Sequence, residues 1–232
     1  MAPPTTAAVS GARWKSYCAN SSVSRASPSQ SAIACAISSG CWPPSVRVRT
    51  VSFVEELAAA EIGATFNFYR EGARAALLRH RLENYLAART HARFLLVGEA
   101  PGYRGARISG LPFASERQLT GTGPAEATAT IVRATLEELE LEDDVLCWNA
   151  VPTHPGTETG NRRPTRVEIH AGRRFLERLV PGRRVIAVGR IAAAAAGGTY
   201  VRHPSHGGAE AFRNGLLRFA AGGRPVRRFS VR

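Results

Sequence analysis

The sequence predicts an α/β fold: a three-layer α/β/α sandwich around a central, mostly parallel four-stranded sheet. Two observations carry this expectation. Four short apolar segments, "FLLVG" at 94–98, "DVLCWNAV" at 144–151, "RRVIAVG" at 183–189 and "TYVRHP" at 199–204, alternate with stretches of helical spacing. They are continuous apolar runs rather than strict alternations, which is how strands buried on both faces read. A third observation concerns position. Ligands in such sheets bind beyond the carboxyl ends of the strands, and three of these segments lead into Glu99, Asn149 and His203.

The elements follow in order. Helical spacing occupies residues 52–61 and resumes over 69–88, with Ala76, Leu77, Arg81, Tyr85 and Leu86 at the required intervals. "FLLVG" is the first strand, stopped by Gly98. Residues 124–141, opened by Pro124, read as an amphipathic helix with Ile131, Ala134, Leu136 and Leu139 on its apolar face, a proline being favoured in a first turn. The second strand follows at 144–151. Thr165 and Glu168 make a capping box ahead of "RVEIHAGRRFLERL". The third strand leads into an alanine-rich helix at 190–196, the short fourth strand comes next, and "GAEAFRNGL" at 208–216 is the last short helix.

The ends of the chain differ from this middle. The 232 residues leave room for one α/β domain of about 180 residues and a tail. Residues 1–50 contain no Asp or Glu and are rich in Ser, Ala and Pro. They read as a disordered N-terminal extension. "SAIACAI" at 31–37 is too short and too far in for a secretory signal. The skew toward Arg and Ala fits a GC-rich genome, so translation from a GTG codon at Val51, with residues 1–50 outside the native protein, is the simpler expectation. The domain then spans 51–216, and 217–232 is a basic C-terminal tail.

The formal charge is +13, and Lys15 is the single lysine among 31 basic residues. Such a balance favours polyanions such as DNA or RNA, and equally fits a basic soluble enzyme. No apolar run reaches the roughly 18 residues of a membrane helix, so no membrane association is expected. Cys18, Cys35, Cys41 and Cys147 form no CxxC pair. A structural zinc or an iron–sulfur cluster takes four ligands from closely spaced pairs. Reduced thiols in a cytoplasmic protein, with no metal and no cofactor, are therefore expected. The glycine-rich loop after the first strand is neither GxxxxGK[ST] nor GxGxxG. There is no GxSxG elbow for a serine hydrolase.

"VGEAPGYRG…GLPF", "WNAVPTHP" and "VRHPSHGG", in this order and on these strands, resemble the motifs of the uracil-DNA glycosylase superfamily. The resemblance spans about residues 51–216. It implies an enzyme that flips a damaged base out of DNA and releases it hydrolytically. Phe113 then matches the aromatic that stacks on the flipped pyrimidine, and Asn149 the asparagine that reads uracil. His203 matches the histidine that donates to O2 as charge grows there. Gly98, Ala100, Pro101, Gly102 and Tyr103 form the wall of the substrate pocket, the glycines letting backbone approach the sugar and its phosphates. Arg104, Arg107, Ser205, His206 and Gly207 face DNA, with Arg162, Arg163 and Arg202 flanking the motifs.

The chain departs from the family at two points. Some branches carry Asp or Asn where this chain has Ala100, so Glu99 is expected to orient the water. Branches with "GEAPG" often carry cluster-binding cysteines, which this chain lacks. Uracil-containing DNA is the implied partner and a monomer the implied state. Alternatives are a glycosylase for another deaminated base such as hypoxanthine, or a catalytically weak protein that binds damaged DNA.

Overall fold

The computed structural model describes residues 52–222. The expectations for residues 1–51, Cys18, Cys35, Cys41 and residues 223–232 lie outside the described residues. In chain order the elements are α1 (Phe53–Ala59), α2 (Ala75–Ala88), β1 (Phe94–Gly98), α3 (Ala106–Ser109), α4 (Glu116–Thr120) and α5 (Ala127–Glu138). They continue with β2 (Val145–Asn149), α6 (Arg166–Leu179), β3 (Arg184–Val188), α7 (Arg190–Ala196), β4 (Thr199–Val201) and α8 (Ala209–Ala221).

The four strands form one sheet in the order β2-β1-β3-β4, and every pairing is parallel. The expected sheet is thus present, parallel throughout rather than mostly so. All residues of β1 and β2 are buried, as their unbroken apolar runs require of strands covered on both faces. Trp148, on one face of β2, meets Phe53 of α1 with ring centroids 5.5 Å apart. Phe53 in turn meets Phe175 of α6 at 5.7 Å. Phe94 projects from the opposite face, because side chains alternate along a strand and Phe94 pairs with Val145 rather than Trp148. It packs on Phe219 of α8 at 5.2 Å. Helices on both faces complete three layers. The outer edge of β2 is covered where the Cys147 N–H donates to the Tyr85 hydroxyl at 2.7 Å.

Some boundaries move. The helix expected over 69–88 begins only at Ala75. Asn67 directs the chain into a turn first: its amide donates to the Leu57 and Ala60 carbonyls at 2.8 and 3.0 Å, closing α1, and its oxygen accepts the Tyr69 N–H. Gly72 follows at φ +89°, a left-handed conformation that ends helical spacing. In α5 the N-cap is Glu126, so Pro124 lies outside the helix. Its buried face is Ala129, Val132, Thr135 and Leu136, with Ala134 exposed. The last helix runs on to Ala221 because Phe219 remains part of the core.

Candidate active site

The site begins with register. Gly98 and Asn149 are Cα partners at the ends of β1 and β2. Pairing continues one step further, with Ala150 N–H donating to the Gly98 carbonyl at 2.9 Å and Val151 N–H to the Glu99 carbonyl at 3.0 Å. Glu99 is therefore fixed beside the exit of β2. On the other side of β1, Gly189 N–H donates to the Val201 carbonyl at 2.9 Å. That bond holds the ends of β3 and β4 together and carries His203 to the same sheet edge. The three strand ends converge as the sequence implies.

They enclose a cavity of about 200 Å³, lined in part by Glu99, Pro101, Phe113, Glu126, Asn149 and His203. Phe113 is only 8 % exposed and holds φ +51°, uncommon for a bulky side chain. Its ring reaches Gly98: a methyl group there would lie 2.6 Å from Phe113 Cζ and 2.7 Å from Asn149 Oδ1. Gly98 is thus glycine so that the aromatic ring and the amide can close on the end of β1. This packing role is separate from the expected approach of the glycines to a sugar and its phosphates. Gly102 and Gly105 have a similar role, since a side chain on either would collide with the Glu126 carboxylate.

Asn149 is 5 % exposed, yet its amide makes no hydrogen bond among the described residues. Buried amides nearly always have partners. This one presents a free donor and a free acceptor to the cavity. His203 is better defined. The Ser205 backbone N–H donates to His203 Nδ1 at 3.2 Å. A backbone N–H can only donate, so in the neutral ring the proton is on Nε2. Burial, then the neighbouring His206, hold the imidazole below its ordinary value and keep it neutral. His203 therefore offers a neutral Nε2–H donor. Glu99 shows the opposite shift: burial raises its carboxyl above the ordinary range, partly offset by Arg163.

A groove of about 390 Å³ adjoins the cavity. Arg163, Arg190 and Arg202 line it, with Ser205 and His206. Glu99 and His203 line both spaces, whereas Asn149 and Phe113 line only the cavity. The two candidate catalytic residues thus stand at the junction.

The other expected residues divide. Ala100, Pro101 and Gly102 line the cavity. Tyr103 does not, and its N–H donates to Asn161 Oδ1 at 2.9 Å. Arg104 is exposed away from both spaces, beside the Tyr103 ring. Arg107 is turned to Glu158 at 3.0 Å and to the face of Phe66, which takes it out of the groove. Gly207 is exposed at φ +72°. Arg162 lines the cavity but is held by Glu168 at 2.8 and 2.5 Å.

Sequence reasoning missed His154, Glu126 and Asn161 as parts of the site. Fully buried His154 sets its Nδ1 and Nε2 each 2.8 Å from a carbonyl oxygen, of Pro101 and of Thr157. It ties the glycine loop to the loop after β2. Glu126 carried one readable signal: an acid sits where Ser, Thr, Asp or Asn usually caps a helix.

The family model described as the uracil DNA glycosylase superfamily matches residues 86–221. Among solved structures, the crystal structure of wild-type SMUG2 from Pedobacter heparinus is similar in fold, with a TM-score of 0.52 at 11% identity. The match covers 73% of this chain and 97% of that one. No curated protein matches.

Proposed function

The chain belongs to the uracil DNA glycosylase superfamily, and from that premise we propose that it extrudes uracil from DNA and hydrolyses the glycosidic bond, leaving an abasic site. The observation that carries this reading is the junction. Glu99 and His203 stand between a cavity sized for a base and an arginine-lined groove suited to a phosphodiester backbone. The bond that joins base to sugar would lie there.

In the cavity the base stacks on Phe113. The Asn149 amide donates to uracil O4 and accepts from N3–H. Cytosine presents the reverse pattern and would leave buried groups unpaired, at a cost of about 1–3 kcal/mol each. As the C1′–N1 bond breaks, its electron pair passes to the base. His203 Nε2–H donates to O2, where the charge grows. A donor placed in advance needs no rearrangement at that moment. The ionised Glu99 carboxylate offsets the positive sugar and orients water toward C1′. The water oxygen bonds C1′, Glu99 accepts the released proton, and the uracil anion leaves to take a proton from solvent. Arg163 helps keep Glu99 ionised.

The test is release of free uracil from single- and double-stranded oligonucleotides. The wild type releases uracil; no release from either substrate overturns the reading. Asn149→Ala and His203→Ala each lower the single-turnover rate by about 100- to 1,000-fold, the scale of losing one preorganised donor. Near-normal rates in both would remove their assigned roles.

A further inference from the structure

Glu126 is the cavity carboxylate that this mechanism leaves without a task. As the N-cap of α5 it makes no side-chain capping bond. Its carboxylate instead rests against Gly102 and Gly105, where the missing side chains make room for it. No hydrogen bond or ion pair reaches it among the described residues. Burial raises its carboxyl above the ordinary range. Even a half-buried carboxyl without a partner is costly, and this one opens onto the space where the base would lie.

Uracil has few groups left for it. Asn149 takes N3–H and O4, His203 takes O2, and N1 is bound to the sugar. The remaining edge carries C5–H and C6–H. Among the other polar side chains that line the cavity, the Asn161 oxygen accepts the Tyr103 N–H, Arg162 is held by Glu168, and Thr128 carries only a neutral hydroxyl. We propose that Glu126, at the Gly102–Gly105 wall, is a specificity-determining residue that reads the C5 side of the extruded pyrimidine. It favours a hydroxyl-bearing C5 substituent, which pairs the carboxyl, and rejects the methyl group of thymine, which would cover it without pairing it. This inference rests on the uracil reading above and adds a residue and a direction of selectivity to it.

The experiment compares release of uracil, 5-hydroxymethyluracil and thymine, each opposite guanine in otherwise identical duplexes. The wild type is set against Glu126→Ala and Glu126→Met, the second keeping the length of the side chain without its oxygens. Wild-type kcat/KM for 5-hydroxymethyluracil exceeds that for thymine by about tenfold or more, the scale of one hydrogen bond to a charged group. That ratio falls toward one in both variants while uracil is still released. If Glu126→Ala fails to fold, Glu126→Met gives the reading. A wild-type ratio near one, with uracil released, overturns this inference alone. So does an unchanged ratio in a folded variant. Equal loss of all three bases in folded variants would also overturn it, by placing Glu126 in the chemistry instead. A wild type that releases none of the bases removes the uracil reading and this inference with it.

Discussion

Two carboxylates near the cavity are built in opposite ways. Glu168 is buried, but Arg162 grips both of its oxygens and the Thr165 N–H donates to it at 2.8 Å. Hydrogen bonds from Arg162 hold its carboxyl below the ordinary range despite burial. Glu99 is half-buried, its carboxylate has no hydrogen bond among the described residues, and burial pushes its carboxyl up. The contrast extends to their neighbours. Around the cavity, His154, Asn161 and Arg162 make hydrogen bonds that tie the loops together. The side chains of Asn149 and Glu126, which face it, have no partner among the described residues. Bonding capacity is spent on stability in one wall and kept for a ligand in the other.

Linkage gives the contrast a sign. Glu168 has a lowered folded value, so its stabilisation is complete above its ordinary 4.5 and is lost as pH falls through the lowered value. Glu99 has a raised folded value, so its ionisation at neutral pH opposes folding. The largest expected effect follows. Glu99→Gln lowers the single-turnover rate by about 100- to 10,000-fold, the range for a lost general base. It leaves thermal stability unchanged or raises it. A marked drop in Tm would break the comparison, because it would make Glu99 part of the brace.

The reverse is expected of Glu168→Ala. It removes the acceptor of the Thr165 N–H, half of the capping box, and deprives Arg162 of its carboxylate partner, costing about 1–3 kcal/mol in denaturant unfolding. The exposed side of Arg162 keeps that figure below the cost of breaking a fully buried pair. Below the unfolding transition, the rate of uracil release stays within about tenfold of wild type. A loss as large as that of Glu99→Gln, in folded protein, would show that the brace itself takes part in the reaction.

How far the sequence speaks follows the same division. The strands were legible because a two-sided parallel sheet demands continuous apolar runs, and strand ends point to one edge whatever the loops do. Glu99, Asn149, His203 and Phe113 follow from that rule and from short motifs. The brace was harder to read because it joins residues far apart in sequence. His154 reaches Pro101, Arg107 reaches Glu158 and Asn161 reaches Tyr103, and no periodicity records such pairs. Arg107 shows the consequence. Its charge reads as a phosphate contact until Glu158 and Phe66 are seen to hold it. Glu126 was hidden for another reason: inside an apparently helical stretch, an acid looks like a solvated face.

The smallest effect tests the boundary between the two walls. Arg163 lines the groove and is the cation that draws the Glu99 carboxyl back down. Arg190 lines the same groove without entering the balance at Glu99. The acid limb of the rate reports loss of the Glu99 carboxylate as pH falls through its raised value. Removing Arg163 leaves burial less opposed, so that value rises further. Arg163→Ala therefore moves the acid limb of the single-turnover rate at saturating DNA to higher pH, with little change on the alkaline plateau. Arg190→Ala weakens DNA binding and lowers its salt dependence by about one counterion, and leaves the acid limb in place. If both variants shift the limb equally, the groove acts on Glu99 through its general field. If neither does, another group sets the acid limb, and Glu99 is not the base.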